Sequence, residues 1–333
     1  MRIVFVTQAA DPPDPVLAAT LAKIRALAAR CDEVVVLADR IDERALPENV
    51  RARSFAGPSQ AARGARYLAA LAPELLQRPV AVVAHMAPVY ALLAAPLARP
   101  LRVPLLLWFT QQGAGPALRG AERVADVLLT VDRRTVPLSS PKVRAIGHGI
   151  DVAAIPCVPE RRPPLRRLLG LGRYAPVKGW DTALRALAEL EDATLTLHGP
   201  QLTDADRAYR PQLEQLAESL GVAGRVTFGD AVVHAQVPQL LGLADAVVNP
   251  THGNAADKVV YEAAAACLPV FAASPVFDSL LPDGLRFHGD YPSSLAEKVR
   301  GYAGGAGLEL RERVRAEHSV EHWAEQVLEA AGA

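Results

Sequence analysis

The chain has 333 residues, and its 36 basic and 36 acidic side chains leave it without net charge. This balance excludes a whole-protein binder of nucleic acid or another polyanion. Half of the residues are apolar, which is enough to form the cores of two domains of ordinary size. The cysteines, Cys31, Cys157 and Cys267, show neither metal-ligand spacing nor a disulfide framework, so we expect a reducing, cytoplasmic setting.

The N-terminal segment, residues 1–7, is too short for the apolar region of a signal peptide and runs directly into turn residues. No apolar run in the chain approaches the roughly 18 residues of a membrane span. We therefore expect at most peripheral contact with a membrane.

The first half of the chain alternates apolar strands with helices. Strands are predicted at residues 3–7, 34–37, 50–55, 80–84, 103–109, 127–131 and 143–146, helices at 16–29 and 58–77, and a rigid turn at 11–15. This alternation is typical of a parallel α/β domain that binds its ligand at the carboxyl ends of the strands.

A segment rich in Pro and Arg, residues 156–164, predicts an interdomain linker, and a second alternation follows it. Strands are predicted at residues 167–171, 193–198, 225–228, 244–248 and 268–271, and helices at 178–190, 204–220, 237–243, 255–266, 293–302 and 308–331. The fold class predicted is α/β, with two Rossmann-like domains facing each other across a cleft, residues 1–150 and 151–318.

The segment from Asn249 to Glu262 is predicted to run from the end of a strand through a glycine-containing turn into a helix. Asn254 is predicted to cap that helix, with Asp257 at the position of a capping-box acid. Such a turn directs free N–H groups at a ligand above the sheet, which predicts an anion site. Glu262 lies about two turns into the helix, where it could reach a sugar hydroxyl.

Arg173 and Lys178 flank a second turn that precedes a helix. Two cations at a helix N-terminus oppose the helix dipole, so an anion is expected to offset them. A guanidinium fork and an ammonium together suit a diphosphate. A solvated basic loop is the alternative interpretation of the same residues.

These motifs together resemble glycosyltransferase family 4, which has the GT-B fold. The residues that carry the resemblance are Gly172-Arg173, Lys178-Gly179, Gly229-Asp230, Ala244-Asp245, Asn249-Pro250, Glu262-Ala263 and Leu268-Pro269-Val270. Gly147-His148-Gly149-Ile150-Asp151 is similar to the family's Asn-Gly-Ile-Asp signature. The resemblance covers the second domain well and the first only in outline.

The resemblance implies a retaining, metal-independent hexosyltransferase whose only small-molecule requirement is a nucleotide-diphosphate sugar donor. Arg173 and Lys178 would hold the diphosphate and stabilise it as the leaving group. Glu262, the second residue of the family's Glu-x7-Glu motif, would bind the ribose. The N–H groups that would approach the phosphates lie near Asp257, Lys258 and Val259. The loop after Phe228 would meet the base. The final segment, residues 319–333, would cross back to the first domain.

Two positions depart from the family pattern. Asn254 replaces the first Glu of the Glu-x7-Glu motif, which contacts the donor sugar, and Gln111 stands where the family often has a His. Neither amide can serve as acid or base, although both can position hydroxyls. The resemblance implies that the acceptor enters from the first domain, near Gln8, His85 and Gln111. That acceptor could be a sugar, a lipid-linked glycan or a small metabolite.

Two other functions remain open. A GT-B sugar-nucleotide epimerase shares the fold, and the departures at Asn254 and Gln111 also suit a non-catalytic or pseudo-glycosyltransferase member that binds nucleotide. A dehydrogenase that uses NAD is disfavoured, because no Gly-x-Gly-x-x-Gly follows the first strand.

Overall fold

The computed structural model describes residues 1–12, 19–111, 113 and 115–333. The chain divides into two compact units, one formed by Met1–Gly149 with Glu317–Ala333 and the other by Ile150–Ala316. Each unit is built on its own parallel sheet flanked by helices. The predicted α/β class is confirmed.

Among the described residues, the sheet of the first unit has seven strands in the order β3-β2-β1-β4-β5-β6-β7. The strands are β1 (Arg2–Ala10), β2 (Glu33–Ile41), β3 (Val50–Ser54), β4 (Val82–His85), β5 (Leu105–Trp108), β6 (Val127–Thr130) and β7 (Val143–Ala145). All neighbouring strands pair in parallel. Every residue of β4, β5 and β6 is buried, because helices cover both faces of such a sheet.

The helices described between these strands are α1 (Thr20–Ala28), α2 (Gln60–Leu76), α3 (Pro88–Ala98) and α4 (Pro116–Val124). The sequence did not predict α3 or α4. Helix α3 is apolar on nearly all sides, so it has no polar stripe from which a helical period could be read. The first residues of the predicted helix 16–29, and residues 13–15 of the predicted turn, lie outside the described residues.

The second unit is described in full, and its five-stranded sheet has the order β10-β9-β8-β11-β12. The strands are β8 (Arg167–Leu171), β9 (Thr194–His198), β10 (Val226–Gly229), β11 (Ala246–Asn249) and β12 (Val270–Ala272). The chain builds the sheet outwards from β8 on one side and then continues with β11 on the other. The point between β8 and β11 is therefore a topological switch point, where open α/β sheets bind ligands.

The remaining helices are α5 (Trp180–Glu189), α6 (Asp204–Ser219), α7 (Val237–Leu243), α8 (Lys258–Ala265), α9 (Pro292–Arg300), α10 (Gly307–His318) and α11 (Val320–Ala331). The predicted start of α8 is wrong. Asn254 lies in the preceding loop, and the helix begins at Lys258. Asp257 takes the capping position, but its carboxylate makes no capping hydrogen bond because other groups hold it.

The last two helices are separated at Ser319, whose hydroxyl accepts a hydrogen bond from the His322 N–H at the start of α11. Helix α11 is part of the first unit. Its Trp323 is fully buried there, with edge-to-face contacts to Phe5 and Trp108. The final helix is thus anchored by a large aromatic side chain in the core of that unit.

Cys157 and Cys267 form a disulfide within the second unit, with their Cα atoms 5.1 Å apart. The expectation that the cysteines form no disulfide is therefore wrong. Cys267 closely follows α8, so the bond ties the end of this helix to the segment that was predicted as a linker. Arg161 of that segment also donates to the carbonyls of Gly242 and Ala244, which holds the segment on the second unit.

Candidate active site

Two loops of the second unit pack together at the switch point of its sheet. One follows β8 and carries Arg173 and Lys178, and the other follows β11 and leads to α8. Gly179 permits this packing, because it has a φ of 65° and a Cβ there would lie 2.4 Å from the Pro250 carbonyl oxygen. The His252 N–H also donates to the Val177 carbonyl across the two loops, at 2.9 Å.

Asp257 is the point at which the polar side chains of these loops converge. Its carboxylate accepts hydrogen bonds from Lys178 Nζ at 2.5 Å, Asn249 Nδ2 at 2.9 Å and Thr251 Oγ1 at 2.5 Å. Burial opposes ionisation of this carboxyl, but the Lys178 charge and the hydrogen bonds outweigh burial and lower its pKa. Asp257 is therefore a carboxylate at neutral pH, and it neutralises Lys178.

Arg173, the second predicted diphosphate ligand, has a partner within the chain as well. Its Nη1 lies 3.6 Å from Asp206 Oδ2, and its side chain remains 40% exposed. Asp206 lies in the first turn of α6, where its main contacts form a capping box with Thr203. The sequence predicts an external anion to offset Arg173 and Lys178, whereas the structure supplies an internal carboxylate to each.

Glu262 lies on α8 with its side chain only 4% exposed. His234 Nε2 lies 2.7 Å from its Oε1, and Lys258 Nζ lies 3.1 Å from the same atom. Burial raises the pKa of the Glu262 carboxyl, but the Lys258 charge and the His234 contact prevail and lower it to about 2. The site therefore holds a second buried carboxylate that is ionised at neutral pH.

The other predicted residues of this region lie around the start of α8. Asn254 is exposed, whereas Val259 is buried in the first turn of the helix. The backbone N–H groups of a first helical turn have no partner within the helix, so those of Lys258 and Val259 are suited to an anion. Lys258 itself is directed to Glu262.

Sequence reasoning missed three residues of this cluster, namely Asn249, Thr251 and His234. Asn249 and Thr251 are buried polar residues at the carboxyl end of β11, a position that could have been read from the end of an apolar strand. His234 lies in a short turn between β10 and α7, and no spacing in the sequence connects it to Glu262.

The candidate residues of the first unit lie near the carboxyl ends of its central strands. His85 ends β4 and is only 3% exposed, with Nδ1 3.4 Å from Thr7 Oγ1 and its ring stacked on Trp108. Burial, together with the charges of Lys23 and His148, holds the pKa of His85 well below its ordinary value. The imidazole is therefore neutral at neutral pH.

Gln8 and Gln111 differ from His85 in being exposed. Gln8 lies within β1, and Gln111 lies just beyond the end of β5. In the same unit, the ammonium of Lys23 is buried against two indole rings, 4.8 Å from the centre of Trp108 and 5.4 Å from that of Trp323. This cation–π arrangement links α1, β5 and α11.

Among the described residues, no three His, Cys, Asp or Glu side chains form a group that could hold a metal ion. A helix with the length and apolarity needed to cross a membrane is likewise not found in the part of the chain that the structure describes.

Residues 166–303, which contain every site residue of the second unit named above, match a family model described as "Glycosyl transferases group 1". The match covers less than half of the chain and shows that this segment is similar to group 1 glycosyltransferases. The resemblance inferred from the motifs between Gly172 and Val270 is confirmed.

Curated relatives match part of the chain. D-inositol 3-phosphate glycosyltransferase from Mycobacterium tuberculosis is 31% identical over 185 residues, and the match spans 49% of this chain and 38% of the relative. The relative from Mycobacterium bovis matches to the same extent. The chain thus covers well under half the length of these relatives.

Solved structures match over nearly the whole chain. Sucrose-phosphate synthase from Thermosynechococcus elongatus has a TM-score of 0.74 at 18% identity, over 98% of this chain and 97% of that one. Anabaena Alr3699/HepE in complex with UDP-glucose has a TM-score of 0.74 at 18% identity, over 100% of this chain and 99% of that one. The chain therefore has the GT-B fold, as predicted, and the segment that matches the group 1 model forms part of it.

Proposed function

We propose that the protein is a retaining glycosyltransferase that moves a sugar from a nucleotide-diphosphate donor to an acceptor hydroxyl. The observation that carries the proposal is Glu262, a buried and ionised carboxylate inside the segment that matches the group 1 model, beside the start of a helix at the switch point of a parallel sheet. A buried carboxylate can accept hydrogen bonds from two vicinal hydroxyls of a ribose, and the adjoining N–H groups suit the phosphates.

In this proposal, the donor occupies the second unit. The backbone N–H groups of Lys258 and Val259 and the guanidinium of Arg173 bind the diphosphate, and Lys178 joins them when it exchanges Asp257 for phosphate. Glu262 holds the ribose. The turn that carries His234 adjoins Glu262 and is therefore suited to contact the nucleoside. UDP is the first nucleotide to test, because HepE was solved with UDP-glucose.

The first unit supplies the acceptor side. The exposed amides of Gln8 and Gln111 can orient a hydroxyl. His85, which is buried and neutral, supports the end of β4, the strand on which it lies. The acceptor oxygen forms a bond to the anomeric carbon as the bond to the nucleoside diphosphate breaks. The acceptor proton passes to an oxygen of the leaving diphosphate on the same face, so the configuration is retained. Arg173 and Lys178, rather than a metal, stabilise the charge of the leaving diphosphate.

Thermal unfolding with UDP, GDP, ADP and dTDP tests the donor site. A nucleotide at a hundred times its Kd stabilises the native state by about 2.7 kcal/mol. We expect one nucleotide to raise the Tm of the wild type and to lose most of that effect in Glu262→Ala. Glu218→Gln, which changes an exposed glutamate on α6, is the control and should respond as the wild type does. Absence of a shift with every nucleotide would refute the donor site.

A second candidate is a nucleotide-binding member that does not transfer sugar. It is favoured by Asn254, an exposed amide where the family has a Glu, and by the pairing of Lys178 with Asp257. Release of nucleoside diphosphate from the matching nucleotide sugar, with a panel of acceptors, separates the two. Binding without turnover supports this second candidate, and an epimerised donor formed without an acceptor would identify an epimerase instead.

A further inference from the structure

The groups best suited to hold a phosphate in the second unit already hold a carboxylate of the chain. Lys178 comes from the loop after β8, and Asn249 and Thr251 come from the end of β11, yet all three donate to Asp257. An ammonium, an amide and a hydroxyl around one anionic group, beside a helix start, form the environment that a phosphate oxygen would use. Asp257 therefore takes the place of a ligand anion.

Helix capping does not explain this carboxylate. Asp257 precedes Lys258, the first residue of α8, but its side chain accepts no hydrogen bond from the N–H groups of that helix. Those N–H groups consequently remain suited to a second anion close to the first. Two anionic groups at one helix start repel each other, and the repulsion is stronger when water is excluded.

Protonation does not remove the negative charge of Asp257 in the ordinary pH range. Burial favours its neutral form, but the Lys178 charge and the three hydrogen bonds outweigh burial and lower its pKa. A diphosphate that approaches the site thus meets an ionised Asp257 and a neutralised Lys178, and Arg173 is the more exposed cation nearby.

We propose that Asp257 is an affinity-determining residue that competes with the donor's diphosphate for Lys178, Asn249 and Thr251. The inference rests on the proposed function, because it requires that the donor diphosphate binds at this helix start. Donor binding then consists of an exchange in which phosphate replaces the Asp257 carboxylate on Lys178. Such an exchange makes the site weak for a free diphosphate and selective for ligands that gain further contacts, such as those of a ribose with Glu262.

Isothermal titration calorimetry with UDP on the full chain, wild type and Asp257→Asn, tests the competition. We expect Asp257→Asn to bind UDP about tenfold more tightly, because removing one nearby negative charge is worth roughly 1.4 kcal/mol or more. Asp192→Asn is the matched control. It removes the same charge just before the amino end of β9, at the edge of the sheet opposite the carboxyl ends of the strands. This variant should leave the Kd for UDP unchanged.

The outcomes separate the inference from the proposed function. If the wild type binds UDP through Glu262 and Asp257→Asn binds it equally or less tightly, Asp257 is a structural tie and the inference is overturned, while the proposed function stands. If neither protein binds UDP or another nucleoside diphosphate, both are overturned. If only Asp257→Asn binds UDP, competition by Asp257 is supported, whereas the proposed function of the wild-type chain is overturned.

A folding defect in the variant does not obscure the test. The unliganded Tm of each protein is measured first, and Asp257→Ser serves as a second variant that keeps a small polar side chain beside Asn249 and Thr251. A merely structural role predicts a lower Tm with a weaker or unchanged Kd in both variants. The inference predicts a tighter Kd in whichever variant folds.

Discussion

Glu262→Gln should destabilise the second unit in a way that depends on pH. The Glu262 carboxyl has its pKa lowered from 4.5 to about 2, against the effect of burial, by Lys258 and His234. A group whose pKa is lowered in the folded state contributes stability above its unfolded pKa and loses that contribution as pH falls toward the folded pKa. The lowering corresponds to about 3 kcal/mol at neutral pH, since one pKa unit is about 1.4 kcal/mol.

The assay is urea unfolding of wild type and variant at neutral and acidic pH. The difference in unfolding free energy should be about 3 kcal/mol at pH 7 and fall to about 2 kcal/mol near pH 3.5, where the unfolded carboxyl is mostly protonated. Glutamine resembles the protonated side chain in shape, so the pH-dependent part reports the charge. Glu218→Gln, at an exposed position of α6, should stay within about 0.5 kcal/mol of wild type at both pH values.

A difference that does not change between the two pH values would refute this reasoning. It would mean that Glu262 contributes through packing and neutral hydrogen bonds, and that Lys258 and His234 do not favour its ionised form. A carboxylate of that kind would also be a weaker ligand for ribose hydroxyls, so the result would reduce the support for the donor site.

Two further perturbations follow from covalent and backbone features of the second unit. Cys157→Ser should lower the unfolding free energy by about 2 to 5 kcal/mol, because the disulfide to Cys267 spans a sequence separation of 110 residues; a reductant should lower the wild-type Tm and leave the variant's Tm unchanged. Gly179→Ala should cost at least about 1 kcal/mol and weaken nucleotide binding, since its φ is 65° and its Cβ would meet the Pro250 carbonyl. The control Gly242→Ala, in α7 with open space around it, should be neutral or stabilising by up to about 1 kcal/mol in the same denaturation series.

Most strands were predictable because they are short apolar runs, the pattern expected of parallel strands that helices cover on both faces. The edge strand β3, with two arginines and a serine, gave only a weak signal. The runs at residues 34–37 and 167–171 mark the cores of β2 and β8. Helix α3 was not predictable in the same way, because its apolar residues surround the helix and leave no period to detect. The start of α8 was misplaced because Asn254 has good capping chemistry, but local preference does not decide where a loop of the site ends.

The candidate site was predictable as a set of residue types but not as a set of pairs. Lys178 and Asp257 are 79 residues apart, and they meet only because β8 and β11 are neighbours in the sheet. Strand order is set by the whole fold, so the sequence could identify Lys178 as a cation beside a ligand without showing which carboxylate it meets. The contact between His234 and Glu262 depends in the same way on where the turn after β10 lies.

The pairing changes how donor binding must be understood. Lys178 is matched by Asp257, Lys258 by Glu262 and Arg173 by Asp206, so these three cations each have a carboxylate of the chain before any ligand arrives. Long-range attraction of a diphosphate to such a site is weak, because opposite charges a few ångströms apart cancel at a distance. Binding energy must come from exchanging these partners at contact. An exchange succeeds best for a ligand that offers phosphate to the cations and hydroxyls to Glu262 together, which describes a nucleoside diphosphate better than a free phosphate or a bare nucleoside.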